Sequence, residues 1–256
     1  MGFEERLFTD TNLWLAAFIL FMMLAVAAEI GALLRTRLGR DTVERSDGEG
    51  YLLSAVLALL GLLIAFTFSL AIARFDGRRT LVVNEGNAIG TAWLRAGLAG
   101  GDAGASLQHA IADYTDVRLG LSRGADIAKV EAATGRSQTI VWQRMQVAVA
   151  TAPMPIASTI ITAVNDMFDA ASSRKAERAA RIPAQVLLVL ILYAVASATI
   201  VGYVMRAAGR RHRAITLILF FLLTLALALI LDLDRPTSGA VQVSQQPMFD
   251  VRASMR

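Results

Sequence analysis

The sequence contains no cysteine, which excludes disulfides, thiolate metal ligands and thiol nucleophiles and leaves the redox compartment open. Histidine is nearly as scarce: His109 and His212 stand far apart, and neither belongs to an H-E-x-x-H pattern. Charged residues make up only 18% of the chain against 55% hydrophobic, a balance that long apolar runs explain better than a large soluble core does. The net charge is +4, but no basic stretch is interleaved with aromatics, so nucleic acid is not an expected partner. The arginines cluster beside apolar runs, as membrane-flanking arginines do. Catalytic signatures are also missing. Ser172-Ser173-Arg174-Lys175 matches S-x-x-K without its companions S-D-N and K-T-G. The Gly-rich run Gly97–Ser106 lacks the G-K-[ST] ending of a phosphate loop and predicts a turn. No enzyme activity, cofactor or metal site is expected.

What the chain has in abundance is apolar sequence of membrane-spanning length. Tyr51–Ala73 contains no ionisable side chain beyond its terminal tyrosine, and about 20 apolar residues suffice to cross a hydrocarbon core. Leu13–Leu34, Ala184–Met205 and Ala214–Leu231 are the other spans. The first is too long for the apolar core of a signal peptide and reads as a retained span. The expected fold is an all-α integral membrane protein with four transmembrane helices, two plus two, and a helical extramembrane region between spans two and three. The divisions are 1–50, the first span and a basic loop; 51–96, the second span and a polar stalk; 97–183, the extramembrane region; 184–231, the hairpin of spans three and four; and 232–256, a polar C-terminal tail.

Within 74–183 the charges are evenly mixed, as on solvated helices. Leu107, Ile111, Tyr114, Val117 and Leu121 recur at helical spacing. A second helix is expected over Ser137–Thr151 with Ile140, Trp142, Met145 and Val149 on its apolar face. Ala152-Pro153-Met154-Pro155 interrupts it, because proline lacks an N–H and clashes with the preceding turn. A third helix runs from Ile156 through Ile160, Val164, Met167 and Phe168 to Ala180. Loops 35–50 and 206–213 carry four arginines each, so the positive-inside rule places both in the cytoplasm of a cell (inner) membrane. Arg74, Arg78, Arg79, Arg174, Lys175, Arg178 and Arg181 oppose that assignment from the other side.

Several stretches have two readings. Ser54, Ala58, Gly61, Ala65, Ser69 and Ala73 share one face of the second span; small residues allow close helix packing, or they line a pore around a symmetry axis. The stalk places Asn84, Asn87, Thr91 and Arg95 on one face beside Glu85, a polar lining for a vestibule or a solvated helix surface. Glu29 either pairs inside the protein or snorkels to the interface. Asn165, Asp166 and Asp169, like Asp113 and Asp116, could hold a cation, but salt bridges to nearby arginines are the stronger reading. Asp232, Asp234 and Arg235 stand where span four meets water, capping the helix end, pairing with basic residues from a neighbour or guarding a pore mouth, and Arg74 is a further interface charge.

Taken together, these residues resemble the bestrophin-like family of bacterial and plant membrane proteins, over nearly the whole chain. The resemblance rests on AEIG at Ala28–Gly31, FSLAIARFDGRRTLVVNEGNAIGTAWLR at Phe68–Arg95, Tyr114 with Val117 and Arg118, NDMFD at Asn165–Asp169, Ile182-Pro183, and LDLDRPTSGAVQVSQQPM at Leu231–Met248. It implies a distant likeness to bestrophins, which are oligomeric channels whose second span lines a central pore above a helical vestibule. On that plan Ser54, Gly61, Phe66 and Ser69 contact the path, and Glu85, Asn87, Thr91 and Arg95 line the mouth. The partners are then the lipid bilayer, further copies of the chain and inorganic ions. Bestrophins keep the region between spans two and three in the cytoplasm, opposite to the short-loop arginine rule. No bestrophin pore-neck or calcium-clasp motif is present, so permeant ion, gating and calcium dependence do not carry over. A non-conducting scaffold whose extramembrane helices bind a partner is the alternative, and it predicts exposed apolar residues on helices 107–180.

Overall fold

A computed structural model describes residues 12–38, 47–122, 126–206, 213–235 and 239–255. Among these the structure is all-α, without a strand. In order the helices are α1 (Leu13–Leu38), α2 (Asp47–Gly97), α3 (Gly101–Leu119), α4 (Ile127–Thr151), α5 (Met154–Ala179), α6 (Ala184–Met205), α7 (Arg213–Asp234) and α8 (Gln246–Ser254), with a single 3₁₀ turn at Gly120–Ser122. Four helical stretches are long and apolar enough to cross a membrane, and they contain α1, the first part of α2, α6 and α7.

The helix boundaries follow local chemistry. Pro153 and Pro183 take N-cap positions in extended conformation, where a missing N–H is harmless. The Asp126 carboxylate accepts from the Ala128 N–H at 2.9 Å and starts α4 ten residues before the expected Ser137. The Gly-rich turn is shorter than expected. Only Gly100 and Gly101 have positive φ, 69° and 54°, and the chain is helical again from Gly101. Gly104 lies inside α3, where a Cβ would stand 2.9 Å from the Ala96 carbonyl oxygen. That glycine serves close packing, not a turn.

The chain divides into two compact units, residues 1–75 with 181–242, and 76–180 with 243–256. In the first, Leu20, Leu24 and Ala28 of α1, Leu60 and Ala71 of α2, Leu190, Ala194 and Ala198 of α6, and Phe220 and Leu227 of α7 form the core. Helices α1 and α6 cross at backbone contact: a Cβ on Gly31 would meet the Thr199 oxygen at 1.9 Å, and one on Gly202 the Ala28 oxygen at 1.9 Å. Small residues permit such approach between membrane helices, where dispersion replaces the hydrophobic effect as the driving force. The AEIG run thus marks a helix crossing. Arg35 ties three helix ends together. Its Nη1 donates to Glu49 Oε2 at 2.7 Å and to the Tyr203 carbonyl at 3.4 Å, and the guanidinium lies 5.0 Å from the Tyr203 ring centre.

Asp232 holds the chain that follows α7, and Asp234 holds the chain that leads into α6. The buried Asp232 carboxylate accepts from the N–H groups of Ala240 (2.7 Å) and Val241 (2.9 Å). Gly239 fits against the Asp232 carbonyl oxygen, which an added Cβ would approach to 2.7 Å. Asp234 accepts from the Ile182 N–H at 3.0 Å, and its carbonyl accepts from Arg181 Nη1 at 2.9 Å. Four backbone and side-chain donors are satisfied in this way, as buried polar groups require.

The second unit packs Val82, Ile89 and Ala92 of α2, Leu107, Ile111 and Tyr114 of α3, Val141 and Met145 of α4, and Ile160, Val164 and Met167 of α5 around one core. Two expected faces are corrected. On α4 the buried residues are Val130, Thr134, Ser137, Val141, Met145 and Ala148, whereas Ile140 and Trp142 of the expected face are exposed. On α3 the interior position is taken by Arg118 in place of Val117. The expected polar tail also contains a helix. Met248 of α8 and Met255 just beyond it enter the core, and Pro247 and Val251 rest on Gly86 and Gly90 of α2. A Cβ at Gly86 would stand 3.2 Å from the Pro247 carbonyl oxygen.

Candidate functional site: the second helix

Helix α2 runs for 51 residues, and within each unit its side chains advance by about 100° per residue. In the first unit its covered side is marked by Leu60, Thr67 and Ala71, all buried. The Thr67 hydroxyl donates back to the Leu63 carbonyl at 2.8 Å, which removes the cost of burying it. Ser54, Ala58, Gly61, Ala65, Ser69 and Ala73 are all exposed. Counting the turn per residue, Ala58, Ala65, Ser69 and Ala73 lie opposite the covered side, with Ser54 and Gly61 on one shoulder and Phe66 on the other. Phe66 is 65% exposed. Gly61 also borders an apolar groove of about 310 Å³ that includes Ile64, Ser197 and Leu222.

In the second unit Asn84, Asn87 and Thr91 are exposed on α2. Arg95 is half-buried and donates from Nη1 to the Thr159 carbonyl at 3.2 Å. Glu85 departs from the expected vestibule lining: it is fully buried at 0% exposure. Arg118 Nε meets its Oε1 at 2.5 Å, and Arg174 Nη1 meets its Oε2 at 2.6 Å. Arg174 Nη2 also donates to Gln245 Oε1, which brings the C-terminal segment to the same node. Around it, Arg118 Nη1 lies 3.6 Å from Glu131 Oε1, and Arg178 Nη2 lies 3.1 Å from the same oxygen. Thr134 Oγ1 stands 3.5 Å from Arg118 Nη1. Helices α2, α3, α4 and α5 and the tail each contribute a member. Burial pushes the Glu85 carboxyl up, but the Arg118 and Arg174 guanidiniums outweigh it and hold the group below its ordinary value.

The remaining charges divide cleanly. Arg252 forms a two-pronged bond to Asp116, at 2.9 and 2.8 Å, the geometry that suits a guanidinium fork. Asn165, Asp166 and Asp169 are exposed on α5. Among the described residues no group of three or more His, Asp and Glu side chains is arranged to hold a metal ion. Glu29 pairs with Arg213 at 3.5 Å, and Arg74 is half-buried. Arg40, Arg45, Arg210 and Arg211 lie outside the described residues. The Glu85 node and the docking of α8 escaped the sequence pattern, though two signals were present: a carboxylate among buried-face positions of α2, and Gly86 and Gly90 spaced four apart.

Four apolar helices, a helical extramembrane unit and a second span that is covered on one side only define a helical multi-span membrane protein. Residues 20–248 match the Bestrophin-like domain model, and the chain belongs to the Bestrophin-like family. Its fold is also that of a bacterial bestrophin homologue from Klebsiella pneumoniae. One crystal structure of a single-residue mutant of that protein has a TM-score of 0.67 at 11% identity, covering 96% of this chain and 98% of the other. A second mutant reaches a TM-score of 0.70 at 10% identity, covering 94% and 97%. The structure phased with zinc gives 0.66 at 11%, covering 95% and 97%. At these identities the likeness is one of fold. No curated protein sequence matches the chain.

Proposed function

We propose that the chain assembles as a homo-oligomer in a cell (inner) membrane and conducts inorganic ions along an axis lined by α2. The observation that carries this reading is the exposed face of α2 opposite the covered side, where Ala58, Ala65, Ser69 and Ala73 surround a bulky Leu62. A face meant for lipid alone favours bulky apolar residues; small residues and serines suit a helix that meets copies of itself around a water-filled path. Ser69 faces the path, Ser54 and Gly61 border it from one shoulder, and Phe66 narrows it from the other. In the extramembrane unit Asn84, Asn87 and Thr91 line the wide mouth, with Arg95 at its edge. Glu85 has no part in the lining and acts through the fold. Membership of the Bestrophin-like family supports the same assignment.

The test is ion flux into liposomes containing the purified oligomer, with anions and cations supplied separately. Flux is expected, and Ser69→Leu should reduce it at least tenfold at equal oligomer content, because a branched side chain on every copy fills the path. Flux that is unchanged in Ser69→Leu counts against this placement of α2.

One observation favours a second reading, a partner-binding scaffold. Ile140 (51%), Val147 (59%) and Met154 (79%) are exposed on α4 and α5, and exposed apolar residues mark interaction surfaces when they cluster. Intact oligomers silent to every ion, with a protein captured through these residues, would establish the scaffold.

A further inference from the structure

The first unit contains a cavity of about 340 Å³ between α1, α6 and α7, within the roughly 300–1,000 Å³ span of small-molecule sites. Its origin is compositional. Ala25, Ala28 and Ala32 of α1 and Gly202 of α6 border it, and none has a side chain long enough to fill the space left beside the α1–α6 crossing. Leu217 and Phe220 of α7 complete an apolar wall. Three charged residues stand at the cavity: Glu29, Arg206 and Arg213. Arg206 directly follows α6 and Arg213 opens α7, so both guanidiniums belong where these helices leave the apolar layer. Glu29 and Arg213 approach to 3.5 Å while each side chain remains 60% exposed. Such a pair contributes little alone, and both groups keep hydrogen-bonding capacity for a third.

We propose that this cavity binds an aminophospholipid. The phosphate sits against Arg206 and Arg213, the primary ammonium on Glu29, and one acyl chain along Ala25, Ala28, Leu217 and Phe220. Guanidinium forks match phosphate oxygens, and basic pockets between membrane helices suit lipid head groups. The carboxylate selects among lipids. A glycerol head group would leave Glu29 facing a phosphate without a cation, and a choline head group offers no N–H to donate. This inference does not depend on conduction, and a silent protein can still have the site.

The test uses the full chain, delipidated in detergent, and native mass spectrometry with dioleoyl phosphatidylethanolamine, phosphatidylcholine and phosphatidylglycerol at equal concentration. Retention of the ethanolamine lipid should exceed that of the other two about tenfold, as expected for one additional charge-assisted contact. Arg213→Gln should lower that retention by a similar factor, and Glu29→Gln should equalise the ethanolamine and choline lipids. Both side chains are exposed, and unchanged helix content and oligomer size in the variants establish that the fold is intact. Equal retention of all three lipids, or retention indifferent to Arg213→Gln, overturns the site in favour of ordinary annular lipid. A preference for the glycerol lipid over the ethanolamine lipid in the unsubstituted chain overturns the ammonium assignment. A disulfide between two copies of Leu217→Cys, on this cysteine-free chain, overturns the proposal by showing that a second subunit covers the cavity.

Discussion

At the scale of single residues, the decisive group is Glu85. It is buried with two arginines against its two oxygens, so its charge is needed to balance theirs. Removing one partner of a buried ion pair costs roughly 3–5 kcal/mol, because the other charges stay desolvated. Glu85→Gln is therefore expected to lower stability by that order, read as the thermal midpoint of the detergent-solubilised protein. Ion preference in any folded remainder should be unchanged; a selectivity shift without a loss of stability would return Glu85 to the lining. Acid should have the same effect as the mutation. A carboxyl held below its ordinary value of 4.5 stabilises the fold above that pH, and the contribution drains away as pH falls through the lower native value. Thermal midpoints measured from pH 7 downwards should fall below about pH 4.5 in the wild type. That part of the acid limb should be absent from Glu85→Gln.

At the scale of elements, two glycine contacts set how helices meet. At Gly202 an added Cβ would lie 1.9 Å from the Ala28 carbonyl oxygen, and backbone cannot rotate away as a side chain can. Gly202→Ala should cost about 1–3 kcal/mol through forced separation of α1 and α6, checked as a lower midpoint or loss of monodisperse protein. At Gly86 the contact is with Pro247, so a bulky substitution acts on α8 alone. Gly86→Leu should free residues 244–255, break the Arg252–Asp116 pair, and expose the segment to limited proteolysis while the α2–α5 core resists. Resistance of that segment in the mutant would show that Arg174–Gln245 and Met248 hold it without the glycine.

At the scale of the whole molecule, the placement of residues 74–183 on one side of the membrane follows from which charges set the topology. The short-loop arginines and the bestrophin plan give opposite answers, and the cysteine-free chain makes them separable. If the arginine rule governs, a cysteine at the exposed Asp102 reacts with an impermeant thiol reagent in intact cells, and one at Gly209 is protected. The reverse labelling puts the 74–183 region in the cytoplasm. Arg35 shows why counting arginines decides little here: it is occupied with Glu49 and Tyr203, as Arg181 is with Asp234, so their positions answer to packing as well as to topology.

Span number, helical class and the break at Pro153 were legible in the sequence because each depends on local chemistry: run length, hydropathy and a missing N–H. The small-residue face of α2 was visible too, since helical spacing alone puts Ser54, Ala58, Ala65 and Ser69 together. What periodicity could not supply was which polar residues lie inside. Glu85 and Arg118 are 33 positions apart, and each looks like a surface charge until the other is brought to 2.5 Å. The same holds for α8, too short and polar to announce itself, which is seated by glycines more than 150 residues away. The sequence by itself determined the helices and their apolar faces, because those arise from neighbours along the chain. Only the tertiary structure decided that Glu85 is a buried counter-charge and that Asp232 anchors the tail, because a buried charge is tolerable only where distant partners converge on it.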